Sequence, residues 1–228
     1  MKNTFVLSAL SLVFASSAFA GSSYVTGNLQ FHSDDLHGSE VTSTLEAGHT
    51  FENSLGGLTV YTEFDGIQIG ELTTERQTLP GGEITNGSSS NPYITVGGEQ
   101  SFSINDNLWV AAGYQHLLHE GESIQYRPLV KIGYNFDNGL SISNRTRAHI
   151  DATDADAKTD YRMDNRIAYT VNDELSLSYN NVYMLEAEVM DHELRATWTR
   201  NGVQPYFEIR NQADNENTAL VFGAAYGF

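Results

Sequence analysis

Hydrophobic and polar residues alternate with a period of two along most of the chain after Gly21. In residues 126–136, one alternate set is apolar and includes Val130, Ile132 and Tyr134, while the other set carries Arg127 and Lys131. Successive side chains of a β-strand point to opposite faces, so this pattern predicts strands with one apolar and one polar face. Such segments and turn residues recur about every 17 residues, a rhythm typical of up-and-down hairpins.

Twelve strands are predicted from this alternation. They cover residues 24–32, 39–51, 58–68, 93–102, 108–118, 124–136, 140–150, 161–171, 175–184, 192–199, 203–211 and 219–228. An even number of strands is typical of single-chain bacterial barrels. We therefore predict an all-β fold, a transmembrane antiparallel up-and-down β-barrel of about twelve strands.

The predicted connections fall into two alternating classes. Tight Asn, Asp and Gly turns lie at 53–57, 105–106, 137–139, 172–173 and 201–202, and longer or more acidic connections lie at 33–38, 70–91, 119–123, 151–160, 186–191 and 213–217. Short turns on one rim and longer loops on the other favour an outer-membrane barrel over a soluble β-sandwich. Phe51, Phe102, Phe136 and Phe228 lie on the apolar alternation beside short turns or at the chain end, which suits an interfacial aromatic girdle. The alternative is that these aromatics form the core of a sandwich.

The first 20 residues have the pattern of a cleaved signal peptide. Lys2 precedes an apolar stretch from Phe5 to Ala15, and Ala18-Phe19-Ala20 forms a small-x-small cleavage site. We therefore expect residues 1–20 to be removed and residues 21–228 to form one barrel domain in the outer membrane of a Gram-negative cell. The chain has no cysteine, so its stability after export does not depend on disulfides.

Charge is unevenly distributed along the predicted strands. The chain has 29 Asp and Glu residues against 12 Lys and Arg, which gives a formal net charge of −17 and argues against nucleic-acid binding. Eight cations fall on the inward alternation, where they would line a pore: Arg127, Lys131, Arg145, Arg147, Arg162, Arg166, Arg195 and Arg210. On a lipid-facing surface each would cost roughly 2–4 kcal/mol near the midplane.

Acids on the inward alternation would balance most of these cations. They are Glu46, Glu63, Asp65, Glu99, Asp164, Glu193 and Glu208. Acids gather on early strands and cations on the sixth to eighth, so the lumen is predicted to be polarised. Because guanidinium groups bind carboxylates in a bidentate manner, the cationic track suits a ligand with repeating carboxylates. The alternative, that the cations pair with lumen acids and only stiffen the wall, is weaker for Arg145 and Arg147, whose strand has no acid.

Residues 126–139 (YRPLVKIGYNFDNG), with the alternating arginines that follow, resemble a hairpin of the oligogalacturonate-specific porin family, which includes sialic-acid channels. Residues 178–184 (SYNNVYM), 204–208 (QPYFE) and the closing Tyr226-Gly227-Phe228 resemble its later strands, so the resemblance covers about residues 124–228. It implies a monomeric twelve-stranded barrel whose pore cations guide acidic oligosaccharides. By this resemblance the track is Arg127, Lys131, Arg145, Arg147, Arg162 and Arg166.

The last strand stops on an aromatic residue, Phe228, and resembles the assembly signal of bacterial outer-membrane proteins. The expected partners are therefore outer-membrane lipid, an acidic oligosaccharide, and the barrel-assembly machinery acting through Phe228. The function that follows is passive diffusion of uronate- or sialate-type oligosaccharides through an arginine-lined pore, with carboxylates of residues 70–91 expected to narrow its mouth. Neither enzymatic activity nor a cofactor is expected.

Two alternative functions remain open from the sequence. One is a closed structural or adhesion barrel whose lumen is filled by ion pairs. The other is an outer-membrane phospholipase, which needs a Ser–His pair with an orienting partner. The His-Ser-Asn-Gly run of that family is missing, and the nearest run is His32-Ser33-Asp34-Asp35.

The acidic segment 151–160 has carboxylates at the short spacing that calcium sites use. It lacks the loop glycine and the terminal Glu of an EF-hand, so a solvated loop is predicted.

Overall fold

The computed structural model describes residues 21–34, 39–69, 77–78, 84–85 and 91–228. The predicted signal peptide, residues 1–20, and most of the 70–91 connection lie outside the described residues. The strands are β1 (Gly21–His32), β2 (Val41–Asn53), β3 (Gly56–Gln68), β4 (Gln77–Thr78), β5 (Ile84–Thr85), β6 (Tyr93–Ser103), β7 (Leu108–His119), β8 (Glu122–Asn135), β9 (Leu140–Asp151), β10 (Asp160–Asn172), β11 (Leu175–Met184), β12 (Val189–Trp198), β13 (Val203–Gln212) and β14 (Asn217–Gly227).

Twelve of these strands form a closed antiparallel barrel in which each strand pairs with its neighbour in the chain. The last strand, β14, closes the barrel on β1, with Tyr24 opposite Gly227 and His32 opposite Ala219. The two-residue strands β4 and β5 form a separate hairpin inside the connection from β3 to β6. The predicted all-β antiparallel barrel is confirmed, and every predicted strand end lies within three residues of the observed one.

No helix in the described part of the chain is long and apolar enough to cross a membrane.

Period-two alternation decides which side chains face outward. On β8, Val130 and Ile132 are 58% and 50% exposed, whereas Leu129, which directly precedes Val130, is 4% exposed. Side-chain bonds that skip a strand identify the concave face, because they must cross the inside of the curved wall. Gln115 of β7 donates from Nε2 to the Tyr61 hydroxyl of β3 at 2.6 Å, past β6. The apolar alternation therefore faces outward, where a membrane barrel meets lipid.

The two rims differ less than the sequence predicted. The turns from β2 to β3, β6 to β7, β8 to β9, β10 to β11 and β12 to β13 contain two to four residues, and they define the short-turn rim. On the opposite rim, the loop rim, only the connections after β1, β3 and β9 are longer. The connection 119–123, predicted to be longer or more acidic, is acidic but not long, because β7 and β8 are joined by Glu120 and Gly121 alone. Their φ angles of 54° and 86° are those of a type I′ hairpin turn.

Aromatic side chains gather at the short-turn rim. The Tyr134 and Phe136 rings are 4.7 Å apart between centroids, and those of Tyr226 and Phe228 are 5.6 Å apart. Phe136 is 41% exposed on the outward alternation. This arrangement has the form of the aromatic girdle of an outer-membrane barrel.

Candidate functional site

The lumen face carries all eight inward cations named from the sequence. Six of them lie on the neighbouring strands β8, β9 and β10, and we call this lumen face the cationic wall. Away from the strand ends at the loop rim, the one carboxylate on these described strands is Asp164. The register places Lys131 opposite Arg145, Arg145 opposite Asp164, and Arg147 opposite Arg162. Arg195 and Arg210 lie further around the barrel on β12 and β13.

Asp164 neutralises part of the cationic wall. Arg145 donates from Nε to its Oδ2 at 2.8 Å, and Arg162 donates from Nη2 to its Oδ1 at 2.8 Å. Lys131 contacts Glu99, on β6, with Nζ 2.5 Å from Oε2. Pairing with a lumen acid was considered the weaker alternative for Arg145, because its own predicted strand has no acid, yet Arg145 is paired. The neighbouring strand supplies the acid through the register.

Glu208 forms a second and tighter cluster. Arg195 and Arg210 each donate from Nε to a different oxygen of its carboxylate, whose side chain is only 1% exposed. The Arg195 guanidinium also lies over the Tyr206 ring, 4.2 Å from the centroid, and Arg210 donates to Gln30 at 3.2 Å. Both guanidinium groups of this cluster share one carboxylate, so its formal net charge is +1. We call Arg195, Glu208 and Arg210 the closed triad.

Three lumen arginines have no carboxylate partner among the described residues: Arg127, Arg147 and Arg166. We call them the uncompensated arginines. Arg127 donates from Nε to Gln125 at 2.8 Å, and Arg166 donates from Nη2 to the Ser178 hydroxyl at 3.3 Å. These neutral partners hold the guanidinium groups without cancelling their charge.

Arg147 is the most enclosed of these three. It is 6% exposed, and its Nη1 donates to the Gln115 side-chain oxygen at 2.5 Å. Its Nε is buried without a partner among the described residues. The register puts a second cation, Arg162, directly opposite. A buried guanidinium with spare donors is an anion acceptor by its chemistry.

The β2 and β3 lumen face is acidic. Glu46 lies opposite Glu63, and Asp65 is two residues further along β3; we call these three the acidic wall. Tyr24 donates its hydroxyl to Glu46 at 2.7 Å, and Thr44 donates to Asp65 at 2.6 Å. None of the three forms an ion pair among the described residues. The lumen is thus polarised from one wall to the other, as the sequence predicted.

A cavity of about 430 Å³ lies against the cationic wall in the half of the lumen near the short-turn rim. Arg145, Arg166 and Arg195 line this cavity. Ser141, the second residue of β9, also lines it and is close to the short-turn rim. The rest of the lining is Trp109, Lys131, Ser143, Asn144, Asp164, Ala168, Ser178, Asn180, Glu193 and Glu208. This cavity is lined by charged and polar side chains, and its volume is in the range of pockets that hold small ligands.

Four inward aromatic rings lie flat against the wall, each across a glycine directly opposite on the next strand. The pairs are Tyr24 and Gly48, Tyr61 and Gly97, Trp109 and Gly133, and Tyr206 and Gly223. A Cβ atom at Gly223 would lie 2.2 Å from Tyr206 Cζ, so only glycine leaves the ring this position. The glycines therefore keep the lumen open for the charged side chains. The sequence analysis missed these pairs, because they depend on the register between strands.

Two Ser–His contacts were also missed by the sequence analysis. The Ser23 hydroxyl lies 2.6 Å from His49 Nδ1, and the Ser123 hydroxyl lies 2.9 Å from His116 Nε2. No described carboxylate or amide bonds the second nitrogen of either histidine, and His49 Nε2 is buried without a partner. A nucleophilic serine needs that third, orienting group. These contacts therefore lack the geometry of a hydrolase triad.

The acidic loop after β9 is organised by its own hydrogen bonds. The Asp151 carboxylate accepts from the backbone N–H groups of Thr153 and Asp154 at 2.7 and 2.9 Å and from the Thr153 hydroxyl at 2.8 Å. Among the described residues, no group of three or more His, Asp or Glu side chains is arranged to hold a metal ion.

Comparisons with known proteins agree with the barrel. The family model described as "Oligogalacturonate-specific porin protein (KdgM)" matches residues 88–220, more than half of the chain. The solved structure "KdgM porin in complex with disordered oligogalacturonate" is similar with a TM-score of 0.63 and 14% identity, covering 90% of this chain and 99% of that chain. The NanC porin is similar with a TM-score of 0.63 and 12% identity, covering 89% and 98%.

A third similar structure is the outer membrane phospholipase A of Escherichia coli, with a TM-score of 0.57 and 12% identity, covering 90% of this chain and 92% of that chain. No curated protein sequence matches the chain. At these identities the structural similarities show a shared barrel fold and no more.

Proposed function

Because the chain belongs to the oligogalacturonate-specific porin family, we propose that it forms a passive outer-membrane channel for acidic oligosaccharides. The eight inward cations line this pore. Five of them bind lumen acids and hold the wall, and the uncompensated arginines meet the solute. From the sequence we also propose that residues 1–20 are cleaved, that the barrel is monomeric, and that the barrel-assembly machinery recognises Phe228.

The observation that carries this proposal is that Arg127, Arg147 and Arg166 have only neutral hydrogen-bond partners within the described part of the chain. Arg166 lines the lumen cavity, and Arg147 lies further from the short-turn rim on the same wall. A passing carboxylate replaces water at these guanidinium groups and forms charge-assisted hydrogen bonds. Several weak sites in series let a charged solute enter one site and leave it for the next, as conduction requires.

The ion selectivity of single channels in a planar bilayer tests the proposal. We expect a reversal potential in a salt gradient that shows anion preference in the wild type. In Arg147→Gln/Arg166→Gln we expect the anion-to-cation permeability ratio to fall by about fivefold, equivalent to ~1 kcal/mol of charge interaction across a watery lumen. The control, Lys158→Gln/Arg200→Gln, removes the same charge from a loop and a turn and leaves the ratio unchanged.

A second measurement tests the solute class. An oligogalacturonate added to one side produces current-blocking events in the wild type, and a neutral glucose oligomer of equal length does not. Cation preference that the arginine substitutions leave unchanged would show that the acidic wall dominates and that the acidic-sugar assignment is wrong. A barrel with no steady conductance would indicate the closed structural alternative, and calcium-dependent lipid hydrolysis would indicate a phospholipase.

A further inference from the structure

A row of polar side chains crosses the outward face of five neighbouring strands. The register places Asn144 of β9 opposite Asn165 of β10, Asn165 opposite Asn181 of β11, Asn181 opposite His192 of β12, and His192 opposite Asn211 of β13. We call these five residues the polar row. It becomes visible only when the strand registers are combined, because each strand contributes one amide or imidazole to a mostly apolar face; on β9 the Thr146 hydroxyl also lies on this face and donates to Asn144 Oδ1 at 3.0 Å.

The polar row lies on the surface that would face lipid. Ile142 and Ile167, each two residues from a member of the row on the same strand, are 43% and 51% exposed. Asn144 donates from Nδ2 to Asn165 Oδ1 at 2.8 Å, so the two amides sit side by side on the outer wall. This bond uses one N–H of Asn144 and the oxygen of Asn165, so one donor of Asn144 and both donors of Asn165 have no partner among the described residues.

The remaining outward face of the described strands also has polar residues, such as His49 of β2 and His116 of β7, but they do not form a paired row across three or more strands. On β8 the outward residues from Tyr126 to Tyr134 are all aromatic, aliphatic or proline. Among the described barrel strands, the outward amides outside the row are Asn53 and Gln100. These two bond each other at the short-turn rim, with Nδ2 to Oε1 at 3.0 Å. The polar row is therefore confined to one flank, strands β9 to β13.

The polar row climbs across the wall. Asn144 is four residues from Leu140, where β9 leaves the short-turn rim, whereas Asn211 is one residue from Gln212, where β13 reaches the loop rim. Barrel strands are tilted by about 35–45°, so residues paired across strands follow an oblique line around the wall. The row thus starts within the wall on β9 and runs out to the loop rim on β13.

The apolar band is consequently shorter on this flank. On β12 the outward residues between the row and the short-turn rim are Leu194, Ala196 and Trp198, whereas β8 presents an unbroken apolar run from Tyr126 to Tyr134. An unpaired amide N–H in the hydrocarbon region loses its hydrogen bond to water and gains no other partner. A bilayer adapts to a short apolar band by thinning locally, at a modest energetic cost.

We propose that the headgroup region of the outer leaflet descends to the polar row on the β9–β13 flank. Phosphate and hydroxyl groups of outer-leaflet lipids, together with water, then hydrogen-bond the amides of Asn144, Asn165 and Asn181. The row is continuous with the loop rim, which is the outer rim of such barrels and the normal position of headgroups.

The extent of the row decides between lipid and a second copy of the chain. Four of the barrel's twelve strand-to-strand steps separate Asn144 from Asn211, about a third of the circumference. Two convex barrels touch along a narrower strip, so a second copy would cover only part of the row. Lipid headgroups follow the whole curve. This inference is independent of what passes through the lumen.

Spin labels measure the depth directly, because the chain has no native cysteine to remove. Met190→Cys on β12 and Leu45→Cys on β2 are matched outward sites, each eight residues from the short-turn end of its strand. In phosphatidylcholine vesicles we expect the label at position 190 to collide several-fold more with a water-soluble nickel complex, and less with oxygen, than the label at position 45. Replacing the amides in Asn144→Leu/Asn165→Leu/Asn181→Leu should restore equal depths.

Each other outcome overturns the proposal. Equal depths of the two labels in the wild-type background would show that the bilayer is not thinned on this flank. Protection of position 190 from both the nickel complex and oxygen, with intermolecular cross-links through a cysteine at position 181, would show that a second copy covers the row. Heat-modifiable migration on gels confirms that each variant has folded before its label is read.

Discussion

Two groups of inward arginines lie on the same barrel in opposite surroundings. In the closed triad, the buried Glu208 carboxylate gives one oxygen to Arg195 and the other to Arg210. On β9, Arg147 is buried, yet its bonded partner is the neutral Gln115 and a second cation, Arg162, lies opposite. The same alternation put all of these arginines inside. What differs is whether the register brings a carboxylate to the guanidinium.

The two groups show that inward arginines can have two different roles, in stability and in selectivity. An arginine paired with a wall carboxylate adds less to the electrostatic field in the lumen than an unpaired one. It contributes more to the stability of the wall, because removal of the carboxylate would leave the guanidinium poorly solvated and without a counter-charge. A charge with neutral partners contributes its full field to the lumen and depends little on any single neighbour. Stability should therefore be sensitive at the triad, and selectivity should be sensitive at Arg147 and Arg166.

Breaking the closed triad should have the largest effect. Glu208→Gln keeps the size of the side chain but leaves Arg195 and Arg210 facing each other without a carboxylate. We expect a loss of about 3 kcal/mol in the free energy of unfolding, at the low end for a broken buried pair because both guanidinium groups keep some contact with lumen water. The measurement is guanidinium-induced unfolding in lipid vesicles, followed by tryptophan fluorescence.

The control for this variant is Glu186→Gln, which breaks the exposed pair with Lys158, where Nζ lies 3.3 Å from Oε2. Exposed pairs contribute about 0–1 kcal/mol, so its unfolding midpoint should stay close to that of the wild type. Equal unfolding curves for Glu208→Gln and Glu186→Gln would mean that the closed triad does not hold the wall.

The inward positions of the arginines could be predicted from the sequence, but their pairing with carboxylates could not. The strands, the barrel and the inward positions of the arginines follow from period-two alternation, which each strand carries by itself. Pairing follows from the register between strands, which the sequence shows only indirectly. That is why an ion pair was considered the weaker alternative for Arg145 although Asp164 lies opposite it, and why the polar row was not recognised. Residues 119–123 were assigned to the longer or more acidic connections, but His119 and Glu122 pair as the last residue of β7 and the first of β8, which leaves only Glu120 and Gly121 in the turn.

Displacing the aromatic support of the triad should have an intermediate effect. In Gly223→Ala the new methyl group collides with Tyr206, whose ring lies under Arg195. Overpacking of this kind costs about 1–3 kcal/mol, and the ring can relax only toward the lumen. We therefore expect lower stability together with a smaller single-channel conductance. Gly227→Ala on the same strand is the control, because its added methyl group would come no closer than 3.8 Å to the Ser23 carbonyl oxygen. Unchanged conductance in Gly223→Ala would show that Tyr206 does not limit the lumen.

The smallest expected effect comes from the wall opposite the uncompensated arginines. Glu63 forms no hydrogen bond or ion pair among the described residues, and its charge acts on Arg147 and Arg145 only at a distance. Glu63→Gln should leave the unfolding free energy nearly unchanged and raise the anion-to-cation permeability ratio about twofold, since a single charge across a watery lumen contributes well under 1 kcal/mol. Reversal potentials of single channels measure this ratio, with Glu174→Gln in an exposed turn as the control. If the ratio falls or stays constant, the acidic wall does not oppose the arginines. Selectivity would then be set on the cationic wall alone.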